Sequence, residues 1–167
     1  MNGFEKELRD RILNVIPHAS IMGVVPISNW RDVYDVLEKH PKVMGVSPFV
    51  QSQMLIGSSD EVYGSNLIGI VPDSEKNVSV VSNYIIEGSY DSLNENGNNI
   101  IIGELLARKL NLEVGNQVSL MLPDTKASFA GYFPKIKNFK VTGIFRVGAP
   151  DIDEGLSLIH ISEPTRR

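Results

Sequence analysis

The side chains able to hold a metal or move protons are few and dispersed. Three histidines, His18, His40 and His160, stand singly, and without a paired spacing each reads as a surface or helix-end histidine rather than a metal ligand. The acidic groups Asp60-Glu61 and Asp151, Asp153, Glu154 sit in polar turns, where solvation keeps a carboxylate ordinary rather than tuned for acid-base work. There is no G-x-G-x-x-G after a strand, no P-loop, no G-x-S-x-G elbow and no H-E-x-x-H. Cysteine is absent, which removes disulfides, zinc ribbons and thiol nucleophiles and leaves the redox compartment undecided. The expectation is therefore a protein that is not an enzyme, with no catalytic residues, no metal and no cofactor. The chemistry that remains is apolar recognition, and two places carry it. Phe129, Tyr132, Phe133 and Pro134 cluster in one polar stretch, and Phe4, Leu8, Ile12 and Ile16 recur every four residues.

The elements that must position these residues follow from pattern. With 167 residues, 42% of them hydrophobic and 22% charged, the chain holds a proper core, and disorder or a collagen-like repeat is excluded as a whole-chain description. Lys plus Arg is 16 against 20 for Asp plus Glu, a net charge of -4, and no local basic patch suggests nucleic acid. No apolar run approaches the ~20 residues that cross a bilayer, and the N-terminus lacks the layout of a signal peptide.

Residues 1–16 read as an amphipathic helix that Pro17 stops. Residues 21–27 suit a strand, and Ser28 or Asn29 caps a helix with Trp30, Val33, Val36 and Leu37 on one face, ended by His40-Pro41. Residues 43–56 and 62–71 read as strands around a polar turn, and residues 74–86 as a helix. A strand at 100–102, a two-turn helix at 104–110 with Leu105, Leu106 and Leu110 inward, a turn at Gly115 and a strand at 117–122 follow. Residues 123–138 read as a long excursion, 140–147 as the next strand, 148–155 as a polar connection and 156–161, by pattern, as one strand more.

With the segments placed, the opening Met1-Asn2-Gly3-Phe4-Glu5-Lys6-Glu7-Leu8, with Arg11-Ile12-Leu13 and Pro17-His18, resembles the permease subunits of the bacterial lipoprotein-releasing ABC transporter, the LolC/LolE type. Ile100-Ile101-Ile102-Gly103-Glu104-Leu105-Leu106-Ala107 and Val141-Thr142-Gly143-Ile144-Phe145 agree with it, and the former is shared more widely with MacB-like permeases. The resemblance implies an α+β, MacB-like periplasmic domain, truncated, with a mixed sheet and packed helices plus a mainly β subdomain. The strands before residue 72 would pack with the Trp30 helix, and those from 100 onward would form the second part. It implies that residues 1–16 continue a first transmembrane helix that this chain lacks, with Phe4, Leu8 and Ile12 turned toward a second permease subunit. Residues 17–155 would be a partial periplasmic domain, only marginally stable alone.

What the resemblance implies for function is the periplasmic part of an inner-membrane permease that releases lipoproteins to a periplasmic chaperone. ATP would be used by a separate cytoplasmic subunit reached through segments this chain lacks. The excursion falls where one permease of the pair carries a hook that grips the chaperone, with Phe129, Tyr132, Phe133 and Pro134 as contacts; whether this chain is that subunit or the lipoprotein-receiving one stays open. The tail 156–167 departs from the family and looks like a sequencing-adapter sequence read through as protein, so native sequence is expected to stop near Gly155. The competing readings are a MacB-like efflux or division-associated permease, a stand-alone ligand-binding domain, and a hydrolase with an unrecognised site.

Overall fold

The structure, a computed structural model, describes residues 15, 19–23, 27, 29–58, 61–94, 97–122 and 135–161. The expected Trp30 helix is present as α1, Trp30–Glu38, with Asn29 at its N-cap making no side-chain bond. No residue of α1 is buried, so the expectation that it packs on the strands is not met. Residues 21–23 and 27 lie in no strand, and residues 43–48 precede the first strand rather than belong to it. Pro48 has no N–H to give a ladder. A Cβ at Gly45 would lie 2.5 Å from the carbonyl oxygen of Asn77, so this stretch packs against other backbone instead.

Strands β1, Phe49–Gly57, and β2, Val62–Ile70, form a regular antiparallel hairpin from Phe49↔Ile70 to Gly57↔Val62. Its turn is closed by the Ser58 N–H donating to the Glu61 carbonyl at 3.1 Å. The helix expected over 74–86 is replaced by three short pieces: α2, Pro72–Glu75, a 3-10 turn, Val81–Tyr84, and strand β3, Ile85–Gly88. Pro72 starts the single turn of α2, and burying Val81 beneath the sheet bends the chain before a second turn forms.

A second 3-10 turn, Tyr90–Asn94, leads to β4, Asn99–Gly103, then α3, Glu104–Lys109, and β5, Gln117–Leu122. Leu106 and Leu110 of the α3 region are buried as expected, while Leu105 is half-buried. Strand β6, Lys135–Phe145, begins earlier than the pattern suggested, so 135–138 are strand and not excursion. The supposed polar connection after it contains α4, Pro150–Gly155, and the described chain ends in β7, Leu156–His160. No helix among the described residues is long and apolar enough to cross a membrane.

The seven strands form one mixed sheet in the order β3-β6-β4-β7-β2-β1-β5, and β5 pairs again with β6. The two edges of β6 are distinguished by adjacent residues. Lys140 donates to the Asn98 carbonyl on the β4 side, whereas Val141 donates to Asn116 and accepts from Gly115 on the β5 side. Six strands therefore close into a small barrel with β3 appended. The strands from residue 100 onward are not a separate part: β7 inserts between β2 and β4, and β5 joins β1 to β6.

Alternation assigns each residue to one of two cores. Met54, Ile56, Leu67, Ile100, Ile102, Val118, Leu120, Phe139 and Val141 form one, to which α3 adds Leu106, Ala107 and Leu110. Ile101, between two residues of the first core, joins Ile70, Phe145 and Leu158 on the other face, under Val81, Tyr90 and Leu93 of the 3-10 turns. Val15 belongs to this second core, and its carbonyl accepts from Ser79 Oγ at 2.8 Å.

Candidate partner-binding surface

The residues singled out for binding, Phe129, Tyr132, Phe133 and Pro134 together with Phe4, Leu8 and Ile12, lie outside the described residues. What the structure supplies is the frame of the excursion. Leu122 is paired directly with Lys135, so a single cross-strand pair brackets residues 123–134. Among the described residues the β1–β5 ladder runs over Leu55–Met121, Ile56–Leu120 and Gly57–Ser119.

The foot of β6 stands clear of both cores. Residues 135–138 are all exposed although strand neighbours point to opposite faces, whereas their β5 partners Leu120 and Leu122 stay in or against the first core. Two side-chain bonds fix that foot: Ser119 Oγ donates to Asn138 Oδ1 at 2.9 Å, and Asn98 Nδ2 donates to the Asn138 carbonyl at 3.1 Å. On the outer face the register sets Ile136 beside Met121 and Met121 beside Leu55, an uninterrupted apolar row over three strands. Ile136 is 59% and Leu55 49% exposed. Pattern reading missed this row, yet its signal was present: in Met54-Leu55-Ile56 the two flanking residues are buried, so the middle one must face out.

The titratable groups fall elsewhere. His40 is exposed, its Nδ1 accepting from the Lys42 N–H at 3.3 Å, and His160 is exposed at the end of β7. Among the described residues no group of three or more His, Cys, Asp or Glu is placed to hold a metal. Asp153, expected to be solvated, is instead 3% exposed and accepts from the backbone N–H groups of Val147 at 2.7 Å and Gly148 at 2.9 Å. Glu154 pairs with Lys109 at 2.5 Å.

Two further carboxylates have displaced pKa values of opposite sign. Glu104 accepts from the Arg146 guanidinium and from Arg108 at 2.7 Å, and these cations, Arg146 foremost, hold it below the ordinary 4.5. Burial holds Glu75 above 4.5, and the Ser47 hydroxyl beside it, which makes no well-formed hydrogen bond, offsets this only in part. A depressed carboxylate contributes stability above its unfolded pKa that is lost as pH falls through the folded value. A raised one contributes stability below its unfolded pKa that is lost as pH rises through the folded value. Urea midpoints followed against pH are therefore expected to lose part of their acid-side fall in Glu104→Gln, and to lose part of the gain on approach to pH 4.5 in Glu75→Gln. Profiles parallel to wild type in both variants would refute the assignment.

With this geometry in hand, the kinship of the chain can be stated. The sequence profile of the MacB-like periplasmic core domain matches residues 1–162. The lipoprotein-releasing system transmembrane protein LolC of Xylella fastidiosa (strain 9a5c) is 34% identical over 164 residues, covering 98% of this chain and 40% of that protein. LolC of Neisseria meningitidis serogroup B is 33% identical over 165 residues, and LolE of Haemophilus influenzae 27% over 168, each covering 98% of this chain and 40% of the relative. The chain thus spans about two fifths of the length of these relatives, whose names describe transmembrane components of a releasing system and not enzymes. The extracellular domain of the noncanonic ABC-type transporter YknZ from Gram-positive bacteria shares the fold, with a TM-score of 0.51, 15% identity, and coverage of 77% of this chain and 60% of that one. Profile, relatives and fold agree, and the chain belongs to the family of MacB-like periplasmic core domains.

Proposed function

We propose that this domain is the periplasmic part of an inner-membrane ABC transporter permease that releases lipoproteins to a periplasmic chaperone. Similarity along 98% of the chain to proteins named for lipoprotein release carries this reading. The frame of the excursion supports it, since Leu122 and Lys135 pair directly at its base and the β6 side of that base is exposed. The domain binds and performs no covalent chemistry. ATP hydrolysis belongs to a cytoplasmic subunit, and Phe4, Leu8 and Ile12 face a second permease subunit. Phe129, Tyr132, Phe133 and Pro134 grip the chaperone, because aromatic anchors on a projecting loop concentrate binding energy.

Replacing Phe129, Tyr132 and Phe133 with Ala in the full-length transporter is expected to leave folding nearly unchanged. Chaperone capture should weaken by about 2 kcal/mol, roughly thirtyfold in Kd, as for a lost hot spot. Equal capture by wild type and variant would show that the excursion is not the gripping element and would favour the lipoprotein-receiving subunit. Membranes carrying the transporter, given ATP and chaperone, should shed lipoprotein. No shedding would move the assignment to an efflux or division-associated permease.

A further inference from the structure

The chain has no cysteine, so its softest and most readily oxidised groups are the thioethers of five methionines. Four of these lie among the described residues, and their surroundings differ. Met54 is 3% exposed in the first core with Ile56 and Leu67, and Met121 is partly buried in the row between Leu55 and Ile136. Met22 is 70% exposed and Met44 100%. The backbone that carries Met44 is nonetheless held in place. On one side the Val43 N–H donates to the His40 carbonyl at 2.9 Å, and on the other Gly45 is pressed against the backbone of Asn77. Residues 43–48 belong to no helix or strand, and Met44 adds nothing to either core.

We propose that Met44 is a site of reversible oxidation, taken to the sulfoxide by a peroxide and returned by a methionine sulfoxide reductase. In the forward step the thioether sulfur attacks one oxygen of the peroxide and the O–O bond breaks. The transferred oxygen passes its proton to the departing one, which leaves as water when the oxidant is hydrogen peroxide, so sulfur loses two electrons and the peroxide gains them. In the return step two thiols supply two electrons and two protons, form a disulfide, and release the sulfoxide oxygen as water. Exposure selects the position, because both reagents must reach the sulfur. Exposure also sets the consequence. A sulfoxide at Met54 would bury a polar group among apolar side chains, whereas at Met44 it stands in water and leaves the barrel intact. A reductase reaches Met44 without breaking a ladder, since its segment belongs to none.

Timed treatment of the 167-residue chain with hydrogen peroxide tests this. Met44 and Met54 fall in one tryptic peptide, residues 43–76, so tandem mass spectrometry compares them within a single fragment. Met44 should gain its oxygen at least about tenfold faster than Met54, which the reagent meets only when the core opens. Once Met44 is oxidised and Met54 is not, the urea midpoint should equal that of the untreated chain. A-type and B-type methionine sulfoxide reductases together, with dithiothreitol as the dithiol, should then remove the oxygen from the folded protein. Met44→Leu should abolish the early oxygen gain on this peptide at an unchanged urea midpoint. Oxidation of Met44 no faster than that of Met54 overturns the proposal, as does a sulfoxide that both reductases remove only after denaturation. Protection of Met44 when the full-length protein carrying this domain is treated in membranes overturns it as well.

Discussion

A chain ended at Gly155 is expected not to fold cooperatively. Strand β7 lies in the interior of the sheet order, parallel to β2 over five residue pairs and antiparallel to β4 over three. Without it the barrel opens between those two strands. Leu158, 4% exposed, leaves the core, and Ser157, fully buried, no longer meets Ser65 Oγ at 3.0 Å. Burial of one such leucine is worth about 1.5–3 kcal/mol, and the exposed ladders of β2 and β4 add to the loss, against a typical domain stability of about 5–15 kcal/mol. The truncated chain should lack a sharp urea transition and should show collapsed amide dispersion in NMR. A transition within a few degrees of the full chain on heating would contradict this. A strand slot asks for alternation more than for particular residues. A foreign hexapeptide with a small residue at 157 and an apolar one at 158 is therefore expected to restore folding.

Asp153→Ala is expected to cost about 3 kcal/mol, read as a lowered urea midpoint at neutral pH. The loss leaves the Val147 and Gly148 N–H groups without their acceptor where the chain turns from β6 into α4, and the buried donor at Val147, stripped of its carboxylate partner, is expensive. The surroundings cannot close over the gap, because α4 is pressed on β4. A Cβ at Gly103 would lie 2.1 Å from the Asp153 carbonyl oxygen. Asp153→Asn keeps one acceptor and should retain about half of the lost stability. A loss under about 0.5 kcal/mol in Asp153→Ala, the range of ordinary surface substitutions, would refute the role.

Where structure is dictated locally, sequence and fold agree. Three consecutive isoleucines at 100–102 give β4, the helical spacing from Trp30 gives α1, and the polar turn after Gly57 gives the β1–β2 hairpin. The errors cluster where a distant partner decides. Residues 74–86 carry a helix-like pattern, but burial of Val81 and Tyr90 against Ile101 and Phe145 divides them. Asp153 has polar neighbours in sequence and looked solvated, since nothing nearby reveals that the end of β6 folds over it. Closure of the barrel rests on β5 meeting both β1 and β6, of which β1 lies some sixty residues away, a pairing no short-range pattern encodes. Of the candidate site, the outer row of Leu55, Met121 and Ile136 was half legible: consecutive apolar residues announced an outward Leu55, while its alignment with Met121 needed the register.

The Leu122–Lys135 pair uncouples what the hairpin carries from what the barrel needs. Because the insert begins and ends at one rung, the closure entropy of lengthening it is small. Doubling the twelve residues between those rungs costs about 0.6 kcal/mol. Recognition can therefore be rewritten at this position, longer, shorter or differently shaped, while the scaffold keeps its strand order, its two cores and nearly all of its stability. Selection acting on a new binding partner meets little resistance from the fold, so relatives with the same barrel are expected to diverge first, and furthest, between these two rungs.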